Sequence, residues 1–373
     1  MTNPTICDVL PAAAALLGLP GAHDGLALRD RFGDVDRVVV VLVDGMGYRL
    51  LPRLAPYAPL LADVLRGGAG WLTELTCMFP STTPTSLVSL GTGLPPGAHG
   101  VLGFTLNVPG TDRVLTHIFW RDDPAPRRWQ PETTWFERFS AAGVPARVVL
   151  PTMFEGSGLT DAAYRGARFR AVPRGEDYAQ LLADEVSFGP GLIYGYTAAL
   201  DTAAHLFGIA SQQWAEAAAG VDRLLGTLVE RLPARTALLV TADHGGLDIA
   251  PDARVDLADD PRLSAGVRVV AGEPRVRYLH TVDGAADDVR TAWREVLGNR
   301  ARVLGRDEAV EEGMFGPVPA AHRARIGDVV VICTSDIAIL ASGYEPPEIA
   351  KLIGFHGAGT PVEMAIPLIG FAG

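Results

Sequence analysis

Carboxylates and imidazoles recur in this sequence just past its apolar runs, where a buried strand would hand the chain over to a loop. "VVVVLVDGMG" ends in Asp44, "YGYTAALDTAAH" carries Asp201 and His205, "LLVTADHGG" brings adjacent Asp243 and His244, and "GFHGAG" supplies His356. Taken singly, each has a plain structural reading. Asp44 suits a strand-ending turn, Asp201 and His205 a contact between successive helical turns, Asp243 and His244 a turn before two glycines, and His356 a loop. Together they place a carboxylate or an imidazole at nearly every exit from an apolar run. Carboxylate oxygen and neutral imidazole nitrogen are what a zinc-type divalent ion accepts. Six such donors are too many for one tetrahedral ion with an open position. They suit two ions that clamp the attacking and leaving oxygens of an in-line displacement at phosphorus.

A nucleophile is available in "FPSTTPTSLVSLGTG", where Ser81, Thr82 and Thr83 stand directly before Pro84 and a helix-like run. A threonine hydroxyl attacks poorly at neutral pH unless a cation stabilises its alkoxide. Pro84 suits the first turn of a helix, and free N–H groups there would face a phosphoryl oxygen. The alternative is that Thr83 is the N-cap of that helix, a role compatible with nucleophilic attack.

The elements that must position these residues are short β-branched runs that read as strands buried on both faces: 37–43, 146–151, 191–197 and 236–242. They alternate with helical patterns at 131–143, 176–187 and 211–232, the last capped by Ser211. The expected fold class is α/β, a mostly parallel central sheet flanked by helices, with sites at the strand exits. From 252 to 345 the texture changes to that of a compact α+β insertion, read as a cap. The expected organisation is a catalytic core over 1–251, the cap over 252–345, and a return segment over 346–373 in which "MAIPLIG" is a last strand.

A net charge of -11, from 32 basic and 43 acidic residues, argues against extended nucleic acid as a partner. An anionic substrate must be attracted locally. Three cysteines, Cys7, Cys77 and Cys333, are too sparse for a disulfide framework and favour a cytoplasmic location. "PAAAALLGLPGA" is too short to span a bilayer and reads as a buried amphipathic helix, so no membrane association is expected.

In order along the chain, "LVDGMG", "FPSTTPTSLVSLGTGLPPGAHGV", "LDTAAH", "TADHGG" and "GFHGAGTPVEMAIPL" resemble the alkaline phosphatase superfamily, most closely its nucleotide pyrophosphatase/phosphodiesterase branch. The resemblance implies an alkaline-phosphatase-like fold and two zinc ions, with manganese as the substitute. It implies one ion held by Asp201, His205 and His356, and a second held by Asp44, Asp243 and His244 with Thr83 bridging toward it as nucleophile. The implied function is hydrolysis of phosphodiester or pyrophosphate bonds in a small phosphorylated substrate, a nucleotide among them, through a phospho-threonine intermediate. Phosphomonoesterase or phosphonate hydrolase activity is the alternative within the superfamily. A catalytically silent, metal-containing protein that binds a phosphorylated ligand is the alternative outside it.

Two positions depart from the branch. Pro84 follows the nucleophile where relatives carry a base-stacking aromatic, and Phe104 stands where they carry an Asn that binds a phosphoryl oxygen. Asn107 is a candidate substitute for that Asn. In "EPRVRYLH", Arg275, Arg277 and His280 could meet a distal phosphate or carboxylate, although alternating arginines also describe the solvated face of a strand. Tyr48, Phe104 and Trp120 are candidates for an apolar wall, and His99 for a structural hydrogen bond.

Overall fold

A computed structural model describes residues 3–373. Eleven strands make up the two larger sheets. In the main body they are β1 (Arg37–Val43), β2 (Trp71–Thr76), β3 (Ala146–Pro151), β4 (Arg168–Val172), β5 (Gly191–Thr197) and β6 (Thr236–Thr241). The insertion supplies β7 (Val267–Glu273), β8 (Val276–Thr281), β9 (Ala301–Gly305) and β10 (Val329–Cys333), and the chain closes with β11 (Ala365–Ala372). The principal helices are α1 (Val9–Leu16), α2 (Thr83–Thr92), α3 (Trp135–Ala141), α4 (Tyr178–Phe188), α5 (Ala199–Phe207), α6 (Gln212–Glu230) and α7 (Ala286–Leu297).

The central sheet has the order β2-β11-β6-β1-β5-β3-β4. Its middle is parallel: β1 lies between β5 and β6, and β3 between β5 and β4. The returning β11 runs antiparallel to both β6 and β2. Val38 to Val43 and all of β6 are buried, as a strand covered by helices on both faces requires. Register decides where the strand exits meet. Val43 is level with Thr197, and Leu42 with Thr241, so β1, β5 and β6 end together at one edge of the sheet.

The helical patterns form α3, α4 and α6, and Ser211 caps α6 by accepting from the Trp214 amide. The N-terminal apolar segment forms α1, six of whose eight residues are buried. Strands β2 and β4 do not read as apolar runs, because both are edge strands with several partly exposed residues.

Within 252–345 the chain builds a separate antiparallel sheet, β7-β8-β10-β9, against which α7 buries Val289, Trp293 and Leu297 at helical spacing. This insertion is pinned to the body by hydrogen bonds from Tyr278 Oη to Leu102 O (2.7 Å) and from Thr105 Oγ1 to Gly272 O (2.8 Å). Cys7, Cys77 and Cys333 are buried free thiols. Among the described residues, no helix is long and apolar enough to cross a membrane.

Candidate active site

Past the level ends of β1 and β6, Asp44 and the pair Asp243–His244 emerge side by side, all three buried. Close approach is what the glycines here permit. Gly45 sits at a φ of +73°, and a Cβ on it would come within 2.9 Å of Asp201 Cβ. Its amide instead donates to Asp243 Oδ1 at 3.1 Å. Beyond β5, the first turn of α5 places Asp201, and His205 follows one turn later with Nε2 3.1 Å from Asp201 Oδ2.

The fourth contribution, His356, lies in the loop before β11, which Ser81 clasps. The Ser81 hydroxyl donates to Ala358 O (2.7 Å) and accepts from the Gly357 amide (3.1 Å). His356 then stacks on His244 with ring centroids 3.5 Å apart, and its Nε2 is 3.2 Å from that of His205.

All three imidazoles are oriented in the same way. Nδ1 faces a backbone carbonyl in each: Gly354 O for His205 (2.7 Å), Gly245 O for His244 (2.9 Å) and Ser81 O for His356 (2.8 Å). A carbonyl only accepts, so Nδ1 carries the hydrogen and Nε2 is turned inward as a potential ligand. Two groups of three donors lie close enough to share an ion, Asp44 with Asp243 and His244, and Asp201 with His244 and His356. His205 adjoins the second group.

The electrostatics also call for a cation. Burial, then the neighbouring charges of Asp243 and Asp201, push the Asp44 carboxyl well above the usual carboxylate range. Asp243 is pushed up to about 7 by burial and then by Asp201, and its Oδ2 is buried without a hydrogen-bond partner. Burial lowers His356 far below the usual imidazole range, reinforced by His244. At His205 the pull of burial is outweighed by Asp201, which lifts it to about 9; conversely, His205 and His356 outweigh burial and hold Asp201 low. A divalent ion would relieve the carboxylate repulsion and give the orphaned oxygen a partner, so the donor set fits one.

Thr83 opens α2. The N-cap is Thr82, not Thr83, which is the first helical residue with Pro84 directly after it. The Thr83 hydroxyl is therefore free to face the cluster, with Oγ1 3.2 Å from His244 Nε2 and 3.4 Å from each Asp44 carboxylate oxygen. A cavity of about 440 Å³ begins here and includes Asp44, Thr83, Asp201, His205 and His356 in its wall.

Other expected contacts are displaced. Phe104 lines the cavity, but Asn107 does not: it is buried in a short hairpin and donates to Thr111 O at 2.9 Å. Arg275 and Arg277 do not line it either. Arg275 pairs with Glu363 through Nε and Nη2 (3.0 and 2.8 Å), while its Nη1 donates to Ser335 O and Ile337 O (2.6 Å each). Arg277 is committed to Ile339 O (2.6 Å) and Glu345 (2.7 Å). Strand β8 is buried throughout, so its arginines must find partners inside the protein, and their alternation does not mark a solvated face. Trp120 is core, Tyr48 lies outside the cavity wall, and His280 is buried. His99 makes a structural hydrogen bond with Ser89 Oγ at 2.9 Å.

Three contributors are not evident from the sequence. Tyr196 donates its hydroxyl to Asp44 Oδ2, Ser81 orients His356, and Glu273 faces the cavity from the end of β7. Tyr196 leaves one signal, a tyrosine in a buried strand whose hydroxyl needs a partner.

A family model described as type I phosphodiesterase / nucleotide pyrophosphatase matches residues 38–358. No curated protein matches in sequence. Among solved structures, murine ectonucleotide pyrophosphatase/phosphodiesterase 5 is similar with a TM-score of 0.71 and 19% identity, over 89% of this chain and 87% of that one. An inactive form of that mouse protein in complex with AMP is similar with a TM-score of 0.71 and 18% identity, over 89% and 87%. Phosphonoacetate hydrolase from Sinorhizobium meliloti 1021 in complex with phosphonoformate gives a TM-score of 0.64 and 20% identity, over 89% of each chain. At these identities the structural likeness shows a shared fold.

Proposed function

The chain belongs to the type I phosphodiesterase/nucleotide pyrophosphatase family of metal-dependent phosphoryl hydrolases, and from that premise we propose that it cleaves small phosphoesters through a phospho-threonine intermediate on Thr83. The observation that carries the reading is the position of Thr83 Oγ1, at a helix start and within 3.4 Å of both His244 and Asp44.

Asp44, Asp243 and His244 would hold one divalent ion, and Asp201, His205 and His356 a second, with zinc the first choice for such donors and manganese the substitute. Ions bound there supply Lewis-acid charge that lowers the pKa of the threonine hydroxyl and offsets charge on the phosphoryl oxygens.

The protein's own groups do the remainder. Thr83 loses its proton to solvent and forms the Oγ1–phosphorus bond as the phosphorus–oxygen bond to the leaving group breaks, and the departing alkoxide takes a proton from solvent. Water then attacks phosphorus as the phosphorus–Oγ1 bond breaks, giving up a proton to solvent while Oγ1 takes one back, so that Thr83 is regenerated. On this reading a phosphoryl group at Thr83 would lie beside the N-terminus of α2, a favourable position for negative charge. Tyr196 holds Asp44 in place, and the three backbone carbonyls fix the imidazole rings before substrate arrives. AMP in the mouse relative and phosphonoformate in the bacterial one support a small phosphorus-centred ligand.

The test is Thr83→Ala in the zinc-loaded protein, assayed on bis(para-nitrophenyl) phosphate. Turnover should fall by at least roughly 10³-fold while bound zinc is retained. Near-normal turnover in that variant would remove Thr83 as the nucleophile.

A further inference from the structure

We propose that the cavity beside Thr83 selects a phosphoester or phosphonate ester whose organic group is aryl or alkyl and bears no charge beyond the phosphorus centre, in preference to a nucleotide or any substrate with a second anionic group. The inference rests on the hydrolase reading and names its substrate class.

The lining is the first argument. Leaving Thr83, the cavity is walled by Leu87, Phe104, Ile118, Leu150, Phe154 and Leu206, and among the described residues no lysine or arginine lines it. At about 440 Å³ it has the size of a pocket for a drug-sized organic group. Ile118 and Leu206 line it and also stand 42% and 52% exposed, so the apolar surface continues to the mouth. A chain longer than the cavity could leave along them.

The polar groups in the wall are the second argument. Ser157 and Thr160 already pair with each other at 2.9 Å, so they have less to offer the hydroxyls and base edge of a nucleoside. Glu273 is buried, and both its carboxyl oxygens lack a hydrogen-bond partner, with the Thr82 hydroxyl and the Phe104 amide nearby but outside hydrogen-bonding geometry. Burial pushes it up to about 8, so near neutrality it offers an O–H and no counter-charge. Away from the metal-ligand imidazoles, a distal phosphate or carboxylate would therefore meet neutral hydroxyls, carboxyl groups and hydrocarbon, with no lysine or arginine among the described wall residues to pair with it. The two arginines of β8, which could have answered it, are consumed by Glu363, Glu345 and backbone carbonyls.

Three esters that release the same para-nitrophenolate test this, because their rates then report the group that stays on phosphorus. With the zinc-loaded protein, kcat/KM for para-nitrophenyl phenylphosphonate should exceed that for the para-nitrophenyl ester of thymidine monophosphate by at least about ten-fold, the scale on which apolar pockets discriminate. It should also exceed that for para-nitrophenyl phosphate, which keeps no organic group on phosphorus to occupy the cavity once the para-nitrophenolate departs. Leu206→Arg, which brings a cation to the mouth, should raise hydrolysis of ATP relative to the phenylphosphonate ester. In the zinc-loaded Thr83→Ala protein, calorimetry should find octylphosphonate bound more tightly than AMP. A thymidine ester cleaved as well as the phenylphosphonate ester, or AMP bound more tightly than octylphosphonate, overturns the inference and leaves the hydrolase reading standing. No cleavage of any ester defeats that reading and the inference with it.

Discussion

The loop that carries His356 touches two kinds of buried charge. On one hand it is held by Glu363, which accepts from the Ala358 amide (2.9 Å) and the Thr360 hydroxyl (2.6 Å) and is matched by the guanidinium of Arg275. On the other, His356 stacks on His244 beside Asp44 and Asp243, where like charges crowd together and Asp243 Oδ2 has no partner. Both clusters are buried and both combine strands remote in sequence, yet only the first is complete from the protein's own groups. Desolvation penalises every buried charge, so the second arrangement is costly unless an ion from outside completes it. The difference separates a clamp from a binding site more sharply than residue type does, since aspartate, glutamate and arginine in a cleft look alike in sequence.

Of the two clusters, the clamp should show the largest loss when a partner is removed. Glu363→Ala leaves Arg275 buried and unpaired, and should cost about 3 to 5 kcal/mol in urea unfolding. Replacing Arg275 and Glu363 together by methionine should recover part of that loss, because no uncompensated charge then remains although the Ala358 amide and the Ser335 and Ile337 carbonyls lose their partners. A single variant as stable as the parent would mean that the pair is not the clamp described.

At the metal cluster the same operation should act in opposite directions on stability and activity. Asp243→Asn should lower zinc-dependent turnover by at least about 100-fold, the upper range seen when even the outer partners of metal ligands are lost. In the metal-free protein it should raise stability by about 1 kcal/mol, by removing one of the crowded carboxyls. A metal-free variant that unfolds more readily than the parent would put Asp243 in the clamp class.

Glu273 is a third and smaller case, a lone carboxyl with neither a matching cation nor crowding carboxylates bonded to it. Its folded pKa is raised, so between its unfolded value and about 8 the native state keeps a proton that the unfolded chain has released. Stability is then lost as pH rises through that window. Glu273→Gln should match the parent near pH 5, roughly the unfolded titration range, and exceed it by about 1 kcal/mol at pH 8. Parallel pH profiles for the two proteins would show that the carboxyl is ionised in the fold.

How far this arrangement is legible in sequence depends on which interactions are local. Strands β1, β3, β5 and β6 are readable because burial on both faces leaves an unbroken apolar run, and Asp44, Asp201, His205, Asp243 and His244 stand out because they follow β1, β5 and β6, whereas His356 follows only the two-residue strand Gly354–Phe355. Edge strands β2 and β4 lack that signature, since water supplies part of their environment. Arg275 and Arg277 mislead because their partners, Glu363 and Glu345, lie 88 and 68 residues away and only the folded insertion brings them together. Glu273 is invisible for the same reason: its meaning is the absence of a cation in a cavity whose wall comes from remote parts of the chain. Thr82 and Thr83 differ by one helical position, which sequence alone does not resolve.

Convergence of six side chains and one hydroxyl on a pair of cations is tested most directly by anomalous diffraction at the zinc edge, from crystals grown with zinc and vanadate. Two zinc peaks are expected, one at Asp44, Asp243 and His244 and the other at Asp201, His205 and His356, with vanadium bonded to Thr83 Oγ1. Zinc located elsewhere, or vanadate bound away from Thr83, would contradict it.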